Sequence, residues 1–225
     1  FSIPLVFEPG EGFSYCYSIH WTQLLVARLT GDFVKYVHGN VFSPLQMASS
    51  SYRPRDIPEI WDRRLRMVER KGNKLVHIEE ASPRLACSML DMGTILGDLI
   101  LPSPRLLREE HIDLLFAGQF APSSQALRDL RPLDGNYAFC AGKTDSGGPP
   151  SVNWSAGGLV VEEELALCGI PKGLVVWKGM PNILWAMNRV KGLAMVFATQ
   201  LIPVGDNVAN ELDLAFMRDA WNVFR

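Results

Sequence analysis

The chain is short of the residues that mark metal, disulfide or nucleic-acid chemistry. Its four cysteines, Cys16, Cys87, Cys140 and Cys168, form no Cys-x-x-Cys pair and have no histidine at zinc-finger spacing. That excludes a zinc finger and predicts buried, reduced thiols of an intracellular protein, with two disulfides as the alternative. The four histidines, His20, His38, His77 and His111, are scattered, so no metal and no other cofactor is expected. With 20% charged residues and a formal net charge of -2, the chain has no broad basic surface, and nucleic acid is not an expected partner. Its one basic cluster, Arg63 to Lys74, reads as the solvated face of a helix. No apolar run approaches the roughly 20 residues that cross a bilayer, so no membrane contact is expected. A basic stretch followed by an apolar one is missing from the start, FSIPLVFEPG, which leaves a cytoplasmic protein as the expectation. The first residue is not methionine, which suits a processed or truncated start. Finally, no serine has lysine three positions later. Ser50 comes nearest, with Arg53, but a guanidinium stays protonated and cannot act as a base.

What is present is apolar: 48% of the 225 residues are hydrophobic, enough to bury the core of one globular domain. Ile19, Leu24, Leu25, Ala27 and Leu29 fit one face of a helix from Ser18 to Thr30, stopped by Gly31. A second short helix follows from Asp32 to Gly39. Ser49 to Pro58 reads as a surface loop leading to a helix at Glu59 to Arg70, and Ser103-Pro104 as a further helix start. Asp134 to Ser151 reads as a strand followed by an exposed loop. The runs Leu174–Trp177, Asn182–Met187 and Leu193–Leu201, joined by turn-rich links, predict an antiparallel meander. Val208, Leu212, Ala215, Phe216, Ala220 and Val223 predict a closing amphipathic helix. A sheet with flanking helices is an α+β arrangement.

Two motifs carry chemistry. Pro9, Gly10, Phe13 and Tyr15 precede the helix that ends in Thr30-Gly31, and Trp177, Lys178 and Gly179 lie in a strand-like run. The first resembles the tyrosine motif of the class C β-lactamase-related serine hydrolases and transesterases. The second resembles the strand that carries Lys-Thr-Gly or Trp-x-Gly in that family. WSAGGLV (154–160), NILWAMN (182–188), FATQLIPVGD (197–206) and the closing helix resemble its fungal, lovastatin-type acyltransferase branch. The likeness is strong at both ends and poor between about Pro83 and Pro150.

The resemblance implies a β-lactamase/transpeptidase-like fold that is N-terminally incomplete, because the nucleophile of this family sits upstream in a Ser-x-x-Lys box. It implies one partial domain over 1–225. Residues 1–48 would form the tyrosine-motif loop and helices, 49–150 a helical and loop region, and 151–225 the meander and last helix. Tyr15 would be the base or proton relay. Trp177, Lys178, Gly179 and Met180 would form the substrate strand, with the Met180 N–H completing an oxyanion hole, and Tyr17, His20, Trp154 and Trp185 would line the pocket.

The expected function is acyl transfer or ester hydrolysis on a small-molecule ester or thioester, conditional on an upstream Ser-x-x-Lys. A truncated, non-catalytic family member that binds a small apolar ligand or a partner protein is the alternative. A non-covalent isomerase using Tyr15 or His20 is a third reading. A partial domain leaves a sheet edge and an apolar face uncovered, which predicts self-association or a partner that completes the sheet. Ser155, one residue away from a G-x-S-x-G elbow, lacks the first glycine and is set aside as a nucleophile. Gly142-Lys143-Thr144 lacks the first glycine of a P-loop, Tyr137 standing there, and is likewise set aside.

Overall fold

A computed structural model of the chain describes residues 4–15, 18–79, 85–131, 150–165 and 169–224. Its centre is a five-stranded antiparallel sheet in the order β5 (Val152–Trp154), β6 (Leu159–Val161), β7 (Val175–Gly179), β8 (Ile183–Asn188) and β9 (Leu193–Phe197). Leu159, Val176, Ala186 and Met195 stand in one cross-strand row, and Val160, Val175, Met187 and Ala194 in the next. Side chains alternate across a pleated strand, so the two rows face opposite ways. The first row packs with Met217 and Trp221 of the closing helix (Asn207–Val223). The second packs with Leu96 of the helix Met89–Ile100. A sheet buried on both faces explains why β7 and β8 read as nearly continuous apolar runs.

The α+β expectation therefore holds, as do the meander and the closing helix. The first helix, α1, spans Ser18–Thr30 as expected. Gly31, with φ +86°, takes the left-handed conformation that closes a helix, its N–H donating to Ala27 O at 2.8 Å. No residue of α1 is buried.

Several elements differ from their sequence reading. The second helix, α2 (Phe33–Val37), is capped by Asp32, but Gly39 does not end it: the chain continues as a π-turn over His38–Phe42. In place of a surface loop at 49–58, Ser50–Ser51 forms a buried strand, β1, paired with β4 (Ala86–Cys87). The Ser50 hydroxyl donates to Asp91 Oδ2 at 2.7 Å. The helix expected at Glu59–Arg70 lasts only through α3 (Pro58–Trp61). Arg63 and Arg64 there donate to the Glu59 and Trp61 carbonyls at 2.6 and 2.9 Å, taking acceptors that a continuing helix needs. The basic run then becomes a hairpin, β2 (Val68–Lys71) with β3 (Lys74–His77), and β2 also pairs with β10 (Leu201–Ile202).

Helix α4 (Met89–Ile100) was not read from the sequence, although Ser88 and Asp91 give its start: the Ser88 hydroxyl accepts the Asp91 N–H at 3.1 Å. Ser103-Pro104 does not begin a helix. The Asp98 carboxylate accepts the N–H groups of Arg105 and Leu106 at 3.1 and 3.2 Å and holds a turn, so α5 starts at Glu109 and runs to Phe116. Helix α6 spans Gln125–Leu130, and the closing helix is α7. Cys87, expected to be buried, is free and exposed, and the other three cysteines and the strand and loop expected at 134–151 fall wholly or mainly outside the described residues. Among the described residues no helix is long and apolar enough to cross a membrane.

Candidate active site

The segment ahead of α1 is fastened to the body of the protein by Phe13. Its N–H donates to Asp129 Oδ2 of α6 at 3.2 Å, and its ring lies 5.7 Å from Phe120 and 5.3 Å from Trp154. Two residues on, the Tyr15 ring lies 5.0 Å from Trp177 on β7 and 6.3 Å from Trp154. The Trp177 Nε1–H donates to the Tyr15 hydroxyl at 3.2 Å, joining residues 162 positions apart. Trp154 meets Trp177 edge to face at 4.7 Å, the geometry favoured by the ring quadrupoles. An indole N–H can only donate, so it fixes the approach to the phenol oxygen. Tyr15 is 53% exposed and thus open to a ligand while held from one side.

The aromatic wall is set by Asn153, which the sequence reading did not single out. Its Oδ1 accepts the N–H groups of Phe120 and Trp154 at 3.1 and 2.8 Å, and its Nδ2 donates to Phe120 O and Glu162 Oε1, both at 3.0 Å. A Cβ on Gly118 would lie 2.5 Å from Asn153 Nδ2, so only glycine lets the chain pass there. Ser155 is buried, its hydroxyl donating to Leu115 O at 2.7 Å and accepting the N–H of Gly158 at 3.1 Å, which makes it the pin of a turn.

Alternation along β7 separates the residues of the second motif. Trp177 goes to the Tyr15 side, while Lys178 turns under the sheet, where its ammonium pairs with Asp213 of α7 and donates to Asn210 Oδ1 at 3.1 Å. Lys178 is thus buried away from Tyr15. Burial pushes the Asp213 carboxyl above its ordinary range, and the Lys178 ammonium pulls it back. Next come Gly179 and the exposed Met180. A Cβ on Gly179 would rest 3.5 Å from Ile183 Cβ, an ordinary contact, so packing does not require glycine there.

The turn that follows is anchored by Asn182, fully buried at φ +53°, whose Nδ2 donates to Leu201 O and Pro203 O at 2.7 and 3.0 Å. Thr199 Oγ1 donates to Pro181 O at 2.5 Å. Asparagine after proline signals a turn in the sequence, but not which carbonyls its side chain reaches.

Trp185 stands opposite Trp177 on β8 but packs in the α4 core, with Gly158 beneath its ring. His20 is half-buried on the first turn of α1. Tyr17 lies outside the described residues. Among those residues no group of three or more His, Cys, Asp or Glu is placed to hold a metal ion.

A family model described as Beta-lactamase matches residues 1–216. Acyltransferase calJ of Penicillium decumbens is 29% identical over 245 residues, covering 100% of this chain and 57% of the relative. A monacolin J acid methylbutanoyltransferase of Aspergillus terreus is 25% identical, covering 95% of this chain and 55% of its own length. Lovastatin esterase of Penicillium rubens is 23% identical, covering 100% and 59%. Among solved structures, unliganded simvastatin synthase (LovD) from Aspergillus terreus superposes with a TM-score of 0.86 at 22% identity, covering 99% of this chain and 57% of that one. EstCE1, a hydrolase with promiscuous acyltransferase activity, gives 0.74 at 15% identity, covering 97% and 58%. The chain thus spans little more than half the length of these relatives, and the two structures show the fold.

Proposed function

The chain belongs to the beta-lactamase family, and on that premise we propose that it carries the proton-relay and oxyanion half of a serine acyl-transfer site. The serine of an upstream Ser-x-x-Lys box attacks the carbonyl of an ester or thioester, and Tyr15 accepts the hydroxyl proton and passes it to the leaving group. The acyl-enzyme then yields its acyl group to an alcohol or to water, Tyr15 taking the proton of that acceptor and returning it to the serine. The Met180 N–H, beyond the open Gly179 position, donates to the developing oxyanion. One such donor is worth about 2.7–4 kcal/mol in well-studied hydrolases. Phe13, Trp154 and Trp177 favour a small apolar acyl group. The relatives, named as acyltransferases and an esterase, support the same reaction class.

The observation that carries this reading is the hydrogen bond from Trp177 Nε1 to the Tyr15 hydroxyl, which unites two motifs found independently in the sequence. Its test is Tyr15→Phe in the protein encoded by the full reading frame: acyl transfer from a thioester falls by about 10²–10⁴-fold, with the melting temperature unchanged. Activity insensitive to the substitution contradicts it. A second reading, a ligand-binding member without covalent chemistry, is supported by the aromatic wall that Phe13, Trp154 and Trp177 form beside Tyr15. A serine-directed phosphonate that labels the 225-residue chain would exclude that reading.

A further inference from the structure

Apart from the aromatic site, Arg55, Trp61, Arg64, Arg66, Ile78 and Glu79 line a cleft of about 200 Å³. The 3₁₀ turn Pro54–Asp56 and helix α3 present Arg55 and Trp61 side by side. The Arg64 guanidinium carbon stacks 3.6 Å from the centroid of the Trp61 ring, held by the bond from Nη1 to Trp61 O, and that of Arg55 lies 5.1 Å from the same ring. Two cations thus share one indole, with Arg66 as a third on the cleft wall.

Five other arginines, Arg70, Arg105, Arg108, Arg189 and Arg218, each have a carboxylate partner. Arg55 and Arg66 are exposed and have no carboxylate or hydrogen-bond partner among the described residues. Glu79, at the cleft's edge, is the one acidic lining residue among the described residues, and none of the ion pairs between described residues joins it to Arg55 or Arg66.

Concentrated positive charge in a chain of net charge -2, set against an apolar ring that keeps water from one side, suits an anion. Guanidinium forks match carboxylate and phosphate oxygens two at a time. The volume is below the roughly 300–1,000 Å³ of sites for drug-sized ligands, so the cleft fits one head group. It is also connected to the turn after the site strand: the Val68 N–H of β2, which starts just past Arg66, donates to Gln200 O at 2.8 Å, and the Oγ1 of the preceding Thr199 donates to Pro181 O, next to Met180.

We propose that this cleft is an oxyanion-binding site that takes a carboxylate or phosphate head group of a small molecule between Arg55, Arg64 and Arg66, on the floor of Trp61. The proposal does not depend on the acyl-transfer reading, because its readout is binding. The 225-residue chain, labelled with ¹⁵N, is titrated at constant ionic strength with inorganic phosphate and, in a separate arm, with succinate. The Trp61 indole N–H signal is followed, assigned by its loss in Trp61→Phe. Saturable shifts are expected with at least one anion, and the arm that saturates identifies the head group. The double variant Arg55→Gln/Arg66→Gln, altered only at exposed positions, keeps the melting temperature and binds at least about tenfold more weakly. Shifts in both arms that stay linear and match those with chloride overturn the proposal, as does saturable binding undiminished in the double variant.

Discussion

Lys178 shows how one residue of a motif can serve the fold while its neighbour Trp177 turns to the Tyr15 side. Its ammonium meets a carboxylate, Asp213, that no hydrogen-bond donor besides Lys178 reaches among the described residues. Lys178→Met therefore leaves a buried charge without its partner and costs about 3–5 kcal/mol. Lys178→Met/Asp213→Leu removes both charges and restores most of that loss, and urea denaturation of the single and double variants measures the difference.

The pH dependence has two opposed parts. Hydrogen bonding to Arg70 holds Asp206 below its ordinary 3.8, so its stabilisation is present above that value and is lost as pH falls toward the folded-state value. Asp213 is raised above 3.8, so its protonated form favours the fold, and that contribution is lost as pH rises from 3.8 through the folded-state value. Asp206 also caps α7, accepting the Ala209 N–H at 3.0 Å. Asp206→Asn keeps a capping oxygen and flattens the acid limb of stability, whereas Asp206→Ala loses the cap as well, a further ~0.5–2 kcal/mol. Thermal melts between pH 3 and 7 distinguish them.

At the level of elements, what the sequence discloses is what local chemistry decides. Helix α1 is legible because its apolar period and Gly31 agree, and the meander because β7 and β8 are buried on both faces. The Arg63–Lys74 run misleads because a helix and a hairpin both suit its charges, and the choice falls to pairing of Val68 and Glu69 with Leu201 and Ile202, far along the chain. The same logic applies to the site. Tyr15 and Trp177 are legible through their motifs, whereas Asn153 and Asn182 are not, because their worth lies in which distant carbonyls and N–H groups they reach. Gly179 offers a clean test at this scale. Gly179→Ala meets only ordinary contact, so its melting temperature stays close to that of the parent, while a methyl on β7, the proposed substrate strand, is expected to lower acyl transfer in the full-frame protein. Equal loss of stability and activity would instead make Gly179 a packing residue.

Taken whole, the chain presents apolar surface on the side of the tyrosine motif. Ile19, Trp21, Leu25 and Leu29 of α1 are 62%, 54%, 57% and 76% exposed. A face of this kind in water is satisfied by more protein, and the relatives are longer by nearly as much again. The 225-residue chain on its own is accordingly expected to sediment above 25.1 kDa, and Leu25→Glu/Leu29→Glu to shift it toward the monomer. A monodisperse parent monomer contradicts this. The central claim, that Tyr15 relays the proton of an acyl-transfer site, is tested most directly by intact-mass kinetics of acyl-enzyme formation in the full-frame protein. With a thioester donor, a mass increase of one acyl group is expected, formed about 10²–10⁴-fold more slowly in Tyr15→Phe. An acyl adduct that forms at the same rate in the variant, or none in the parent protein, would contradict it.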